Sequence, residues 1–350
     1  MIISGCLIFL VFGMALFLPV YIFRLPFVFV LLGILVIAFV QYLVGPLVIS
    51  LLTRFRYLRD GEHPWLESTL KSLSAKCFLP TPRLAIVPSR TPNAFVFGRR
   101  RDSCTLAMSE GLLRNLNQSE ITSVIGHELG HIKHWDFVIM TSLSLWPLLA
   151  YLFVRWIYES TYWSYQKHHT LEQIEEKWRE KERMPDRRHY GGTFLLVLAV
   201  VPYLAYIVLL LCISRLSRLR EHYADAFSAF LTRSPHDLAS ALTKINYGLS
   251  LAPKLFSDVR MLYICDPFRA GKECQKILKN KDEFDLDRDG VLDLRELQLA
   301  MEKEAKSRWL KINRWVTTHP PTFKRLQLLR TIEKEIKSGR FVEERVYDLI

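Results

Sequence analysis

Four long runs of apolar residues limit what this chain can fold into more than any other feature. They cover residues 2–23, 27–52, 137–157 and 193–213. Each is close to the roughly 20 residues that an α-helix needs to cross a bilayer. Half of the 350 residues are hydrophobic although 23% are charged, so the two kinds of residue are segregated along the chain. The sequence therefore predicts an α-helical membrane protein with four transmembrane helices.

Basic residues beside these runs indicate an orientation. Three arginines follow the second run closely and three follow the fourth, whereas residues 158–192 balance seven basic against seven acidic residues. Because basic residues favour the cytoplasmic side of a membrane, the C-terminal ends of the second and fourth runs are expected on that side. The first run lacks the basic start of a cleavable signal, so we expect it to be retained. These features predict a multi-pass protein of the cell membrane, plasma or inner, with its catalytic region in the cytoplasm.

Net charge and cysteine usage argue against a nucleic-acid-binding protein and against a disulfide-rich or thiolate-zinc protein. The formal charge of +12 does not indicate nucleic acid binding, because much of the basic charge lies beside the apolar runs. The six cysteines are scattered without a C-x-x-C pair, and Cys6 and Cys212 lie inside apolar runs. Neither a disulfide framework nor a thiolate zinc site is indicated. The predicted partners are the lipid bilayer and polypeptides.

Residues 124–131 read VIGHELGH and contain the clearest chemical pattern. On a helix, His127 and His131 stand at i and i+4, so both imidazoles leave one face about one turn apart. Zinc accepts two such nitrogens, and a catalytic zinc site leaves one position to water. Glu128 can take a proton from that water as the metal lowers its pKa toward ~7. The alternative is a core helix that holds two histidines and a glutamate by chance.

A third ligand is expected from the segment that follows the fourth apolar run. If the third and fourth runs form a hairpin, its two ends bring Glu221 beside the His127 helix. Asp225 stands at i+4 from Glu221 and can accept the other ring N–H of a ligand histidine. The alternative for Glu221 is a solvated charge that pairs with an arginine.

A small sheet is predicted ahead of the zinc motif. Residues 63–78 read as an amphipathic helix, and strand-like pieces follow at 83–87, 94–98 and 104–109. A peptide substrate can add to the edge of such a sheet, or the sheet can serve only to pack the helix. Asn117 and Glu120 form a capping-box pattern at the start of the zinc helix.

Four ordered motifs resemble the HtpX-like membrane zinc metallopeptidases of the M48 class, relatives of the CAAX prenyl protease Ste24. The similarity spans roughly residues 60 to 330. The motifs are Asn93-Ala94-Phe95, His127-Glu128-Leu129-Gly130-His131, Arg220-Glu221-x-x-Ala224-Asp225, and Thr318-His319-Pro320-Pro321-Thr322 followed by Arg325.

The resemblance implies a zincin-like α+β catalytic region and a cytoplasm-facing endopeptidase that cuts misfolded or short-lived membrane proteins. It places Asn93, Ala94 and Phe95 at the sheet edge that holds substrate. It also brings His319 and Arg325 to the metal to stabilise the oxyanion, where prepositioned donors favour a tetrahedral intermediate. The proline pair after His319 could instead serve only to fix a loop.

Residues 285–296 depart from the usual plan of that family and match an EF-hand calcium loop. The alternatives are an acidic surface turn or a loop that binds too weakly to matter, since EF-hands usually work in pairs and no second loop is present in the sequence. The predicted Ca²⁺ ligands are Asp285, Asp287, Asp289, the Val291 carbonyl, Asp293 and Glu296.

These readings combine into a calcium-modulated zinc endopeptidase with one zinc ion per subunit. Two other functions stay open: a prenyl-protein processing protease, and a calcium-responsive membrane scaffold with a structural zinc. The predicted divisions are 1–52, two transmembrane helices; 53–136, the first part of the catalytic region; 137–213, a transmembrane hairpin; 214–270, the second part of the catalytic region; 271–306, the EF-hand-like insertion; and 307–350, the C-terminal part of the catalytic region.

Overall fold

A computed structural model describes the chain continuously over residues 27–136 and 190–250, and at 138–139. Beyond residue 250 it describes 263–265, 270–271, 277, 281–284, 286–287, 294–304, 319–339, 341, 347 and 350. The chain divides into two compact units, Met1–Ala38 with Ser142–Ile213, and Phe39–Thr141 with Ser214–Ile350. All four sequence motifs lie in the second unit.

Nine helices and four strands are described, together with a 3-10 turn at Arg101–Ser103. The helices are α1 (Phe27–Thr53), α2 (Pro64–Lys76), α3 (Glu110–Asn115), α4 (Gln118–Lys133), α5 (Tyr190–Thr232), α6 (Pro235–Ser250), α7 (Lys281–Phe284), α8 (Leu294–Glu304) and α9 (Thr322–Lys337). The strands are β1 (Arg56–Tyr57), β2 (Arg83–Val87), β3 (Ala94–Phe97) and β4 (Thr105–Ser109).

The predicted transmembrane helices are not confirmed. Across the residues that can be described, no helix has the combination of length and apolarity that crossing a membrane requires. The second apolar run lies in α1 and the fourth lies in α5. Residues 2–23 and nearly all of 137–157 fall outside the described residues.

The predicted sheet is confirmed, and its strand ends differ from the prediction by at most one residue. The described strands run in the order β1-β2-β4-β3. Strand β2 pairs in parallel with β4, while β1 and β3 pair antiparallel to their neighbours. Side chains alternate between the two faces: Leu106 joins the main core and Ala107 joins a smaller cluster. Strand β3 forms one edge and packs against α4.

Helix α4 begins with the predicted capping box. The Asn117 side chain accepts from the Glu120 backbone N–H, and the Glu120 carboxylate accepts from the Asn117 N–H, both at 2.9 Å. The buried Glu120 carboxylate also accepts from Ser240 and lies 2.7 Å from Lys244 Nζ. Because Ser240 and Lys244 belong to α6, the start of the histidine helix is fixed to the core.

Two glycines let α4 approach α5 closely. A Cβ added at Gly130 would lie 3.0 Å from the Ala224 Cα, and one at Gly126 would lie 3.0 Å from Ser228 Oγ. Glycine in a helix interior costs roughly 1 kcal/mol relative to alanine. The close contact between the helices offsets that cost and brings the histidines of α4 beside Glu221 of α5.

Candidate active site

Three side chains converge where α4 meets α5. The Nε2 atoms of His127 and His131 lie 3.2 Å apart. Glu221 Oε2 is 3.7 Å from His127 Nε2, and Glu221 Oε1 is 3.8 Å from His131 Nε2. Ligands bound tetrahedrally to one zinc ion at about 2.0–2.1 Å lie about 3.3 Å from one another. The three ligand atoms lie within 4.8 Å of one another, so the predicted ligand set fits zinc.

Unsatisfied buried atoms around this point also fit a bound group. Both ring nitrogens of His319 are buried and have no hydrogen-bond partner among the described residues. His319 Nδ1 lies 3.5 Å from Glu221 Oε1, and the imidazole is 4% exposed. Buried polar atoms are rarely left without a partner. A metal, a substrate or both would supply the missing contacts.

Two buried glutamates in the site have different charge environments. Burial by itself raises the pKa of Glu221, but His319, Arg325 and His131 together lower it well below its usual value. Glu221 is therefore held as a carboxylate, the form that binds a metal. Burial raises the pKa of Glu128, and the nearby His131 and His127 only partly oppose it. The raised pKa of Glu128 is closer to the pKa that an effective proton acceptor needs near neutral pH.

The other nitrogen of His127 lies near Asp225, but it has no aligned hydrogen-bond partner among the described residues. Asp225 Oδ1 lies 3.0 Å from His127 Nδ1. Arg325 donates to both carboxylate oxygens, from Nε at 2.8 Å and from Nη2 at 2.7 Å. Burial would raise the pKa of Asp225, but Arg325 and His127 lower it to about 2. Asp225 is thus a fixed anion that orients the His127 ring.

His131 has a similar partner that sequence reasoning missed. Its Nδ1 lies 2.7 Å from Asp136 Oδ2. Arg220 donates to the other oxygen of Asp136, from Nε at 2.5 Å and also from Nη2. Sequence patterns assigned no role to Asp136, and Arg220 entered only as one of the arginines after the fourth apolar run and as the first residue of the motif that contains Glu221. An acidic residue five positions after a ligand histidine was the available signal, since such histidines commonly donate to carboxylates.

The predicted substrate segment lies at the sheet edge, but its asparagine turns toward another part of the chain. Asn93 is 7% exposed, and its side-chain oxygen accepts from the Ile264 N–H at 3.1 Å. Ala94 begins the edge strand β3, and the Phe95 ring is buried beside Phe97. In the described sheet, β3 has a neighbouring strand on only one side.

The guanidinium nitrogens of Arg325 already have hydrogen-bond partners around the site. Besides Asp225, it donates from Nη1 to the Ile264 carbonyl at 2.7 Å, and the same nitrogen is 3.2 Å from Glu221 Oε2. Each of its nitrogens therefore has a partner. Of the two residues expected to stabilise the oxyanion, His319 is the one with a buried ring nitrogen, Nε2, that has no partner among the described residues, while its Nδ1 lies 3.5 Å from Glu221 Oε1.

Only part of the predicted calcium loop is described. Asp285, Asp289, Val291 and Asp293 lie outside the described residues. Glu296 is buried, and its Oε1 accepts from the Leu286 N–H at 2.6 Å and the Asp287 N–H at 3.4 Å. Helix α8 begins at Leu294, within the last residues of the predicted loop. Calcium binding stays a prediction.

Comparison with known proteins finds similar chains. The protease HtpX homolog of Methanothermobacter thermautotrophicus is 33% identical over 225 residues, which are 64% of this chain and 75% of that protein. The protease HtpX homolog of Methanocaldococcus jannaschii is 36% identical over 216 residues, 61% of this chain and 69% of the relative. The crystal structure of S. mikatae Ste24p superposes with a TM-score of 0.43 and 18% identity, covering 70% of this chain and 56% of that one.

Residues 60–333, most of the chain, match peptidase family M48. The match includes the HELGH motif, Glu221 and the Arg325 region. The resemblance inferred from the motifs is thereby confirmed, and the chain belongs to peptidase family M48 and is a metallopeptidase.

Proposed function

We propose that this protein is a zinc endopeptidase that cleaves membrane or misfolded polypeptides at the cytoplasmic face of a membrane. The observation that carries the proposal is the convergence of His127 Nε2, His131 Nε2 and the Glu221 carboxylate, next to the buried Glu128. A structural zinc site is usually closed by four protein ligands, whereas three ligands and an adjacent acid suit catalysis.

The residues of the site divide the chemistry between them. His127, His131 and Glu221 would hold zinc, which when bound polarises the substrate carbonyl and lowers the pKa of water. Glu128 accepts a proton as the water oxygen bonds to the scissile carbonyl carbon. When the C–N bond breaks, Glu128 gives that proton to the departing amine, so that it returns to its starting state.

His319 is proposed as the donor to the developing oxyanion. It is buried at the site, and neither ring nitrogen has a hydrogen-bond partner among the described residues. Donors already in place need no reorganisation during the reaction. Arg325 would act indirectly, by holding Asp225 and Glu221 in position.

The substrate would bind as an added strand beside β3. This strand is last in the order of the described sheet and packs against α4, the helix of the two histidines. Strand addition uses main-chain hydrogen bonds and so makes little demand on sequence. A protease that recognises unfolded chains requires such tolerance.

Cleavage of casein, with self-cleavage as a second readout, tests this function. Wild-type protein should cleave, a zinc chelator should stop cleavage, and added zinc should restore it. Glu128→Gln should keep zinc but not cleave, whereas His127→Ala should lose both. Zinc-loaded wild-type protein that cleaves nothing, yet loses stability when zinc is removed, would instead support the scaffold with a structural zinc.

Membrane attachment is proposed from the four apolar runs, two of which flank the site. Asp136 immediately precedes the third run, and Glu221 follows the fourth. The protein should remain in the membrane pellet after an alkaline wash, and release into the supernatant would contradict integral attachment. Faster cleavage of a farnesylated C-terminal peptide than of an unfolded membrane protein would favour prenyl-protein processing.

Calcium modulation is a further part of the proposal. Glu296 lies in the first turn of α8, which packs against α6 and α9, and α9 carries Arg325. Ordering of residues 285–296 by Ca²⁺ could therefore reach the active site through helix packing. Activity should differ between calcium-free and calcium-loaded enzyme at constant zinc, and this difference should disappear in Asp287→Asn. Equal activities in wild-type enzyme would remove the claim.

A further inference from the structure

We propose that Asp136 and Arg220 position His131 for zinc in the way that Asp225 and Arg325 position His127. This inference rests on the proposed zinc site. Both Asp136 and Arg220 are positioning residues, because Asp136 would act on the metal through His131 and Arg220 would act through Asp136. We call each pair of one carboxylate and one arginine a clamp.

The two clamps use the same residue types but differ in one contact. Asp136 forms a hydrogen bond with His131 Nδ1, whereas Asp225 lies at ion-pair distance from His127 Nδ1, which has no aligned hydrogen-bond partner among the described residues. In each, a carboxylate oxygen faces the Nδ1 of a histidine, at 2.7 Å for Asp136 and 3.0 Å for Asp225. In each, an arginine donates to the carboxylate from both Nε and Nη2. Each arginine also donates to a backbone carbonyl, that of His134 for Arg220 and that of Ile264 for Arg325.

Burial explains why each carboxylate requires its arginine. Asp136 and Arg220 are each 5% exposed, while Asp225 is 0% and Arg325 is 1% exposed. An unpaired buried charge is strongly unfavourable, whereas a charge paired in good geometry is tolerated. The arginines therefore allow the carboxylates of Asp136 and Asp225 to remain charged beside the two histidines, although the site is buried.

The clamps decide which nitrogen of each histidine faces the metal position. A neutral imidazole has one N–H and one lone pair. If the carboxylate accepts from Nδ1–H, the lone pair remains on Nε2, the atom that binds the metal. The Nε2 atoms of His127 and His131 are the two that converge, 3.2 Å apart. The geometry thus selects this tautomer for His131, and the negative charge of Asp225 favours the same tautomer for His127.

A strained turn places Asp136 beside His131. Five residues along a continuous helix correspond to a rotation of about 140°, which would carry Asp136 away from the His131 face. Helix α4 instead ends with His134 as its C-cap, and Trp135 adopts a left-handed backbone with φ 59°. A non-glycine residue in this region is strained and usually held by its surroundings.

Arg101 supplies part of that support. Its guanidinium lies 4.4 Å from the centre of the Trp135 ring. It also donates to the carbonyls of Ile132 and Lys133 in the last turn of α4. The turn that presents Asp136 is therefore held from one side by Arg101 and from the other by Arg220.

The position of Arg220 adds a second consequence. It directly precedes Glu221, the third ligand, and its guanidinium contacts the chain just after α4 through His134 and Asp136. This clamp therefore ties the α5 segment that carries Glu221 to the helix that carries both histidines. We expect its loss to disturb both His131 and the spacing of the ligand set.

The test is zinc affinity, measured on full-length protein by competition with a zinc-binding fluorescent chelator at fixed pH. Asp136→Asn keeps the shape of the side chain but removes its charge. It should weaken zinc binding 10- to 100-fold, the usual cost of losing such a partner. Asp225→Asn should have a similar effect. The control, Asp102→Asn, removes an exposed carboxylate paired with Arg100 and should leave the affinity unchanged.

Two further readouts separate positioning from general stability. The visible absorption of Co²⁺ bound in place of zinc should change in Asp136→Asn, and thermal unfolding of the metal-free protein measures any structural cost. Arg220→Lys provides a second variant if Asp136→Asn does not fold, and it too should bind zinc more weakly. Wild-type zinc affinity and an unchanged Co²⁺ spectrum in the variant that folds would overturn the proposal, even with a lower melting temperature.

Failure of the proposed function would look different. A wild-type protein that binds zinc but cleaves no polypeptide removes the endopeptidase proposal, while the clamp is still judged by affinity. If His131→Ala binds zinc as tightly as wild type, the ligand set itself is wrong, and the clamp proposal falls with it.

Discussion

Arg325 donates two hydrogen bonds to the carboxylate of Asp225, at 2.7 and 2.8 Å, across 100 positions of sequence. The same guanidinium lies 3.2 Å from Glu221. Helix α9 is thereby fixed to the segment of α5 that provides the third zinc ligand. The active site is thus assembled from three separated stretches of the chain.

Loss of Arg325 should destabilise the fold. Arg325→Met would leave the buried carboxylates of Asp225 and Glu221 without their cation, a change that costs about 3–5 kcal/mol when a buried pair is broken. Arg325→Lys should cost less, because it keeps the charge while losing the two-point contact. Denaturant unfolding of metal-free protein measures both. Equal stability of wild type and Arg325→Met would contradict the buried network.

Replacement of His319 should reduce turnover and leave zinc in place. His319→Ala removes the proposed donor to the oxyanion, and loss of one such donor lowers kcat about 10²- to 10³-fold. The effect should fall mainly on kcat, because the interaction forms in the transition state. Steady-state cleavage of a fluorogenic peptide together with zinc content checks this prediction. A variant with wild-type kcat would exclude His319 from the chemistry.

Gly130→Ala should separate α4 from α5. Its new Cβ would meet the Ala224 backbone at 3.0 Å, a contact that cannot be relieved by a side-chain rotation. Overpacking of this kind typically costs about 1–3 kcal/mol, and here zinc affinity should fall as well because Glu221 moves with α5. Gly271→Ala is the matched control, since nothing lies within 4 Å of its added Cβ. Similar behaviour of the two variants would refute the close-packing explanation.

The metal-free protein should lose stability as the pH rises from about 6.5 to about 9. Burial would lower the pKa of His131, but Asp136, Glu221 and Glu128 raise it to about 9. Because the folded pKa lies above the usual value of about 6.5, the stabilisation is complete below pH 6.5 and is lost as the pH passes through about 9. Thermal unfolding in the presence of a chelator measures the trend.

The control for this pH dependence is His131→Gln. This variant lacks the titrating imidazole, so its stability should depend less on pH over the same interval. An unchanged pH dependence in His131→Gln would assign the effect to another group.

Local sequence patterns predicted the parts of the fold that depend on local chemistry. The capping box at Asn117, the strands and the helical spacing of His127 and His131 follow from interactions between near neighbours in the chain. The short strand β1 was missed, because two residues at Arg56 and Tyr57 carry too little periodicity to be recognised. The four transmembrane helices remain unconfirmed.

Contacts between distant residues were harder to predict. Glu221 and Asp225 could be placed near the histidines because the third and fourth apolar runs were expected to form a hairpin, which would bring their ends together. Arg220 and Asp136 were not paired, since that contact depends on the left-handed turn at Trp135. Likewise, nothing in the sequence indicated that Asn93 would accept from the Ile264 backbone instead of facing substrate.

Zinc content of wild type and Glu221→Gln, measured by mass spectrometry after dialysis against a weak chelator, tests the central claim most directly. If His127, His131 and Glu221 together hold the metal, wild-type protein should retain one zinc ion per chain and Glu221→Gln should retain almost none. Retention of one zinc ion per chain by Glu221→Gln, with wild-type affinity, would contradict the account.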